Sequence, residues 1–336
     1  MAYTDFIQQN IALPETRRIA IYNAQGNRVG QIPLGSLTPP NPAKKLYSFG
    51  ALSDVHVVYD TAAEDFKRAL SYLNDAEDVA FTCICGDLTD NGTTTQLAQY
   101  KAIVDSHSPD TPVYAVAGNH EQWASTSSGH LQDYTGKPLY YTFEHRGDLF
   151  VMLGVVSGNE GSLFASGELD WLETTLNENA ERKRVFVFQH VLAAETSGDV
   201  LGIYPYTKLR TNAESVRFKT ILRAHPNAIW FHGHSHMKFY LQKYGDIANY
   251  DHVLGCHSIH IPSLAVPRDI SASGGYTTVH ADSEGYVVDV YPDGIHLRGR
   301  DFVKGEFLPI ASYWLDTTLQ TVDAGTYTDP TGTITT

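Results

Sequence analysis

The 336-residue chain carries 24 Lys and Arg against 38 Asp and Glu, a formal net charge of −14 with no basic block, so broad binding to a nucleic-acid backbone is disfavoured. With 42% hydrophobic and 18% charged residues it has the balance of a globular protein, and no apolar run approaches the roughly 20 residues of a membrane span. The N-terminal stretch MAYTDFIQQNIALPETRR lacks the basic start and apolar centre of a signal peptide, which predicts a soluble, cytoplasmic protein with no membrane partner.

In chain order, residues 1–45 read as an extension: RRIAIYNAQGNRVGQIPLG suggests a hairpin around Ala24-Gln25-Gly26-Asn27, and LTPPNPAKK a linker. From Leu46 onward strands alternate with helices. The helix in YDTAAEDFKRALSYLND has Thr61 and Glu64 at capping-box spacing, with Phe66, Leu70 and Leu73 on one face. TTTQLAQYKAIVDSH places Leu97, Tyr100 and Val104 together, and SGELDWLETTLNEN does the same for Leu169, Leu172 and Leu176. A fourth helix is expected from about Thr211 to Ala224, stopping before Pro226. YTTVHA, GYVVDVY and GIHLRGR then read as short strands, with a turn at Pro292-Asp293-Gly294. Residues 304–336, ending DAGTYTDPTGTITT, read as a tail. Cys83, Cys85 and Cys256 are too few for a disulfide framework or a thiolate metal site, and the alternation in VAFTCIC predicts buried thiols.

Five apolar, strand-like runs end in polar clusters. LYSFGALS leads into Asp54-Val55-His56, and VAFTCIC into Gly86-Asp87-Leu88-Thr89-Asp90-Asn91-Gly92. VYAVA leads into Gly118-Asn119-His120-Glu121, RVFVF into Gln189-His190, and AIWF into His232-Gly233-His234-Ser235-His236. Ligands of open α/β sheets bind at the carboxyl ends of strands, so these five ends would converge on one site. Carboxylate and amide oxygens mixed with imidazole nitrogens suit Mn, Fe, Zn, Co or Ni better than Ca. The donors are too many for one ion with an open position and enough for two, and a close ion pair can clamp both oxygens of a phosphoryl displacement.

The ordered set D-x-H, G-D-x-x-D-N, G-N-H-E, a lone His and G-H-x-H, spanning residues 54–236, resembles the calcineurin-like metallophosphoesterase superfamily. The resemblance implies a four-layer α/β/β/α sandwich of two mixed sheets over residues 46–303, with the metal site at the carboxyl ends of the strands. Carried over by position, it implies one divalent ion on Asp54, His56 and His236, a second on Asn119, His190 and His234, and Asp87 bridging both. It makes His120 a general acid or transition-state stabiliser, Asp90 a group that orients it, and Asn91 and Glu121 supports at the site's edge. A metal-bridging hydroxide would attack phosphorus in line, and the two dications would let an acidic protein attract a small phosphate-ester substrate.

Departures from related groups sharpen the expectation. Asp90 and His56 stand where purple acid phosphatases need Tyr and Gly, so no iron–tyrosinate chromophore is implied. Asn91 stands where Ser/Thr phosphoprotein phosphatases carry Arg, which removes a bidentate phosphate clamp. The favoured reading is a phosphodiesterase-like hydrolase. Its alternatives are a broad phosphomonoesterase or protein or nucleotide phosphatase, and a non-catalytic scaffold that keeps the fold. The termini read as attachment pieces that could mount the core on a larger assembly such as a virion or surface complex. His257, Ser263 and Arg268 are candidates for a substrate lip, Tyr204 and Tyr206 for a loop over the site, while His107, His130, His145, His225, His252, His280 and His296 are expected in solvated or hydrogen-bonded roles.

Overall fold

The computed structural model describes residues 19–22, 28–32, 42–59, 61–123, 129–157, 162–193, 196–198, 213–239, 250–251, 257–271 and 276–317. Among them no helix is long and apolar enough to cross a membrane. The N-terminal strands β1 (Ile19–Tyr22) and β2 (Arg28–Ile32) pair antiparallel, as a hairpin reading requires.

Two six-stranded mixed sheets form the body. The first combines β3 (Tyr47–Leu52), β4 (Thr82–Ile84) and β5 (Val113–Ala115), mutually parallel, with the antiparallel strands β14 (Glu284–Val290), β15 (Gly294–Asp301) and β16 (Glu306–Asp316), in the order β16-β15-β14-β3-β4-β5. The second contains β6 (Tyr140–His145), β7 (Asp148–Leu153), β8 (Val185–Gln189), β9 (Ala228–His232), β10 (Tyr250–Asp251) and β11 (His257–His260), in the order β10-β11-β9-β8-β7-β6. In it β7, β8, β9 and β11 run parallel, while β12 (Arg268–Ile270) and β13 (Tyr276–Thr278) form a separate antiparallel pair.

The period of two along each strand produces three apolar layers. Phe49 and Ala51 of β3, Cys83 of β4, Phe150 and Met152 of β7, Phe186 and Phe188 of β8, and Phe231 of β9 meet between the sheets. Their neighbours face outward: Leu52, Ile84 and Val287 pack under Phe66, Leu70, Leu97, Tyr100 and Ile103. Those side chains belong to α1 (Ala62–Ser71) and α2 (Thr94–His107). On the opposite surface Val151, Val185, Val187 and Trp230 pack under Leu169, Leu172, Leu176, Phe218 and Leu222. These come, after the short α3 (Gly129–Thr135), from α4 (Glu168–Glu178) and α5 (Ala213–Ala224). The layering is therefore helix, sheet, sheet, helix. Cys83 and Cys85 are buried free thiols, whereas Cys256, Tyr204 and Tyr206 lie outside the described residues.

Three details depart from the sequence reading. Thr61 makes no side-chain cap; its hydroxyl instead donates to Asp65 at 2.7 Å, while Glu64 pairs with Lys67, so the capping box does not form. On α2 Ile103 is buried and Val104 only partly so, because the stripe follows i, i+3, i+6 from Leu97. The boundary at 303 also falls inside the fold: Glu306–Asp316 is the edge strand of the first sheet, and Leu308, Ala311 and Leu315 enter the inter-sheet core. The polar, threonine-rich run over residues 317–336 masks that alternation in the sequence.

Leu315→Ala is therefore expected to lower stability by about 3 kcal/mol, as for a fully buried leucine. Urea denaturation checks this; a loss under about 0.5 kcal/mol, typical of surface positions, would place Leu315 outside the core.

Candidate metal centre

Each of the five expected clusters follows the carboxyl end of a parallel strand, three in the first sheet and two in the second. The chain leaves β3 with Asp54 and His56, β4 with Asp87 and Asp90, and β5 with Asn119 and His120; His190 follows β8, and His234 and His236 follow β9. Main-chain bonds lace these ends together. Asp54, His56 and Val57 donate to the carbonyls of Gly86, Asp87 and Leu88 at 3.0–3.2 Å, and Gly233 donates to His190 at 3.0 Å.

The backbone is wound tightly here. Asp54, His56, Asp87, His234 and His236 have φ between 41° and 74°, a left-handed region that side-chain-bearing residues rarely occupy and that concentrates at functional sites. The adjoining glycines permit close approach. A Cβ on Gly118 would lie 2.2 Å from Asp87 Oδ1, and one on Gly233 2.5 Å from Asp54 Oδ2. This is the physical content of G-N-H and G-H-x-H: each glycine lets one strand end press against a carboxylate from another.

Two donor groups share a carboxylate. Asp54, His56, Asp87 and His236 offer ligand atoms within 4.8 Å of one another, as do Asp87, His190 and His234. His236 Nε2 is 3.0 Å from Asp54 Oδ1 and 3.3 Å from His56 Nε2; His190 Nε2 is 3.1 Å from Asp87 Oδ2. Asp54 Oδ1, Asp87 Oδ2 and Asn119 Oδ1 are buried and accept no well-directed hydrogen bond. Oxygens left so would destabilise the fold by about 1–3 kcal/mol each, and a cation seated among them removes that cost. The residues fit a buried metal centre.

Hydrogen bonds outside the cluster set its orientation. His190 Nδ1–H donates to the Cys85 carbonyl at 2.6 Å, leaving the Nε2 lone pair toward Asp87. His120 Nδ1–H donates to the Asp90 main-chain carbonyl at 2.7 Å, and the Asp90 carboxylate is 3.7 Å away. Asp90 thus holds His120 through its carbonyl, and His120 Nε2 faces the cluster, 3.8 Å from Asp87 Oδ2. The His120 main-chain N–H donates to Asp87 Oδ1 at 3.0 Å.

Glu121, expected at the edge, is buried and ties two strand ends together. Its carboxylate accepts from Thr89 N, Thr89 Oγ1 and Gly118 N at 2.8–2.9 Å. Burial and then the Asp87 charge raise its pKa. Asn91 is exposed, and its amide donates to Asp90 at 2.6 Å. Of the candidate lip residues, Ser263 is internal: its hydroxyl donates to the Asp54 carbonyl at 3.0 Å and accepts from Ala265 N and Val266 N. His257 pairs in register with Ile229 near the start of β9, while His260 pairs with His232 at its end, so His257 lies at the far end of the sheet from the cluster. Arg268 stays close, its main-chain N–H donating to the His236 carbonyl at 2.7 Å.

Local sequence does not mark the contacts of the buried buttress around the histidine loop. Ser235 Oγ lies 2.9 Å from His260 Nε2, and the Glu284 carboxylate accepts from Phe239 N at 2.7 Å just past His236. Neither partner is near in sequence, and neither forms a spaced motif.

Burial pushes His56 down to about 3. His190 is opposed: burial lowers it, but the charges of Asp87 and Asp54 outweigh this and raise it from 6.5 to about 9. In the metal-free protein the His190 imidazolium stabilises the fold fully below pH 6.5, and that contribution is lost as pH rises through about 9. A divalent cation replaces this proton, so Mn(II) affinity is expected to increase with pH across the same window. Calorimetric Mn(II) titrations in buffers of different ionisation enthalpy check this, and an affinity independent of pH there would contradict it.

The fold matches known structures at low identity. The chain is similar to the purple acid phosphatase PPD1 of yellow lupin (Lupinus luteus), with a TM-score of 0.56 and 14% identity over 82% of this chain and 55% of that one, so it spans about half of that protein's length. It is also similar to GAP50, described as the anchor in the inner membrane complex of Plasmodium, with a TM-score of 0.53 and 15% identity over 80% of this chain and 88% of that one. No curated protein sequence matches the chain. The family model of calcineurin-like phosphoesterases matches residues 47–238, which contain all five strand-end clusters. On that match the chain belongs to the calcineurin-like phosphoesterase family.

Proposed function

We propose that the protein is a metal-dependent phosphoric ester hydrolase that prefers diesters. The observation that carries this reading is the pair of buried donor groups sharing Asp87, within a family whose membership supports phosphoester hydrolysis. Asp54, His56 and His236 would hold one divalent ion, Asn119, His190 and His234 the other, with Asp87 between them. When bound, such ions supply an acidified water and neutralise charge on phosphoryl oxygens. The mixed oxygen and nitrogen donors suit Mn, Fe, Zn, Co or Ni.

The chain's own groups supply the rest. His120 presents Nε2 to the cluster with its Nδ1 proton committed to the Asp90 carbonyl, so a proton carried on Nε2 can pass to a leaving oxygen. The Asp90 carboxylate lies 3.7 Å from Nδ1. Preference for diesters is supported by Asn91, whose exposed amide bonds Asp90 and brings no positive charge to a phosphate. A dianionic monoester would gain most from a guanidinium at that position.

A non-catalytic scaffold is the second reading, because one structural neighbour is described as an anchor. The retained donor set and His120 weigh against it, since scaffolding alone has no use for several buried, unsatisfied oxygens.

The test is hydrolysis of bis-p-nitrophenyl phosphate beside p-nitrophenyl phosphate by metal-stripped protein reloaded with Mn(II). The expected outcome is metal-dependent turnover with the diester favoured, abolished by Asp87→Asn. A monoester preference would shift the assignment to a phosphatase, and two bound ions without turnover of either ester would favour the scaffold. His120→Gln is expected to keep its metal and lose about 10²–10⁴ in kcat. The loss should be greater for an alkyl diester than for the p-nitrophenyl ester, whose leaving group needs no proton; equal losses would remove the general-acid role.

A further inference from the structure

Resting on the hydrolase reading above, we propose that the substrate's ester carries a planar aromatic group of the nucleoside type, stacked on Trp123 and Tyr59 at the mouth of the metal centre. Six large hydrophobic side chains among the described residues are more than a third exposed: Val58, Tyr59, Trp123, Val216, Tyr276 and Val303. Lone exposed apolar side chains need no explanation, but here Val58, Tyr59 and Trp123 all adjoin the cluster.

The aromatic rings form a continuous wall. Tyr59 meets His56 edge-on with centroids 5.3 Å apart, His56 meets His120 at 4.6 Å, and His120 lies against Trp123 at 3.7 Å. The two inner rings belong to the cluster, and the two outer rings are 41% and 40% exposed. The main chain beneath both outer rings is tied to the cluster: the N–H groups of Tyr59 and Trp123 donate to the carbonyls of His56 and His120. Stacking on such exposed faces tolerates any flat heterocycle.

Charge narrows the class further. Arg268 adjoins His236 through its main chain, its guanidinium lies 4.6 Å over the Tyr276 ring, and its charge acts on both His236 and Tyr59. A flat base, a sugar and a phosphoryl group can therefore meet stacking faces, a cation and the metal donors in turn. The net charge of −14 repels long polyanions, which favours a small nucleotide ester over a nucleic-acid strand.

The test compares two unactivated diesters on the full-length, Mn(II)-loaded protein: a thymidine dinucleoside monophosphate and glycerophosphoglycerol. The expected kcat/KM is about tenfold higher for the dinucleoside. Trp123→Leu is expected to abolish that ratio mainly through KM, and Tyr59→Phe to preserve it. A wild-type ratio near one, or a Trp123→Leu loss equal for both esters, overturns the proposal and leaves Trp123 as a support for His120. Failure to hydrolyse even bis-p-nitrophenyl phosphate would refute the hydrolase reading separately. The stacking claim then stands or falls on calorimetric binding of thymidine monophosphate against glycerol phosphate, where a preference lost in Trp123→Leu upholds it and no preference overturns it.

Discussion

A carboxylate withdrawn from water must have its charge matched by neighbours, and Asp87 is fully buried. One of its oxygens takes the His120 main-chain N–H; the other faces His190, His56 and His120 at 3.1–3.8 Å. The protons of the neighbouring imidazoles can match that charge, and so can metal ions in their place. Both alternatives demand that four separate strand ends be held around one atom.

Holding them there requires backbone that ordinary strands and helices do not provide. Five donor residues adopt left-handed φ, and Gly118 and Gly233 leave no room for a Cβ against the two carboxylates. Such conformations persist only where surroundings over-determine them. Glu121 fastens the ends of β4 and β5, Ser263 and main-chain bonds fasten the Asp54 loop, and Glu284 and His260 hold the histidine loop. Several of these buttresses are themselves buried ionisable groups, so the stability of the centre and its protonation are coupled.

The four layers explain why the centre lies where it does. Parallel strands from two sheets end at the same edge of the sandwich, and the phenylalanine-rich layer between the sheets fixes their relative register. A donor from β8 or β9 can then meet one from β3 or β4 without any sequence proximity, as His190 meets Asp87. The cluster's outer margin carries exposed rings at Tyr59 and Trp123, where selectivity can vary without disturbing the donors.

The sequence by itself determined the strand–motif order, the clustered Asp, Asn and His residues and the layered class, because each is written locally: apolar alternation in FTCIC, helical stripes such as Leu169, Leu172 and Leu176, and the glycines of G-D-x-x-D, G-N-H-E and G-H-x-H. Tertiary structure alone decided which edge strands complete the sheets, since Glu306–Asp316 is a strand only by pairing with β15. It also decided that His257 sits at the far end of β11 and that Glu121 is buried between two strand ends. Finally, it decided that Asp90 orients His120 through a carbonyl, an atom every residue possesses and no motif can mark. Local chemistry names the clustered residues, but the distances that gather them come from long-range packing of two sheets.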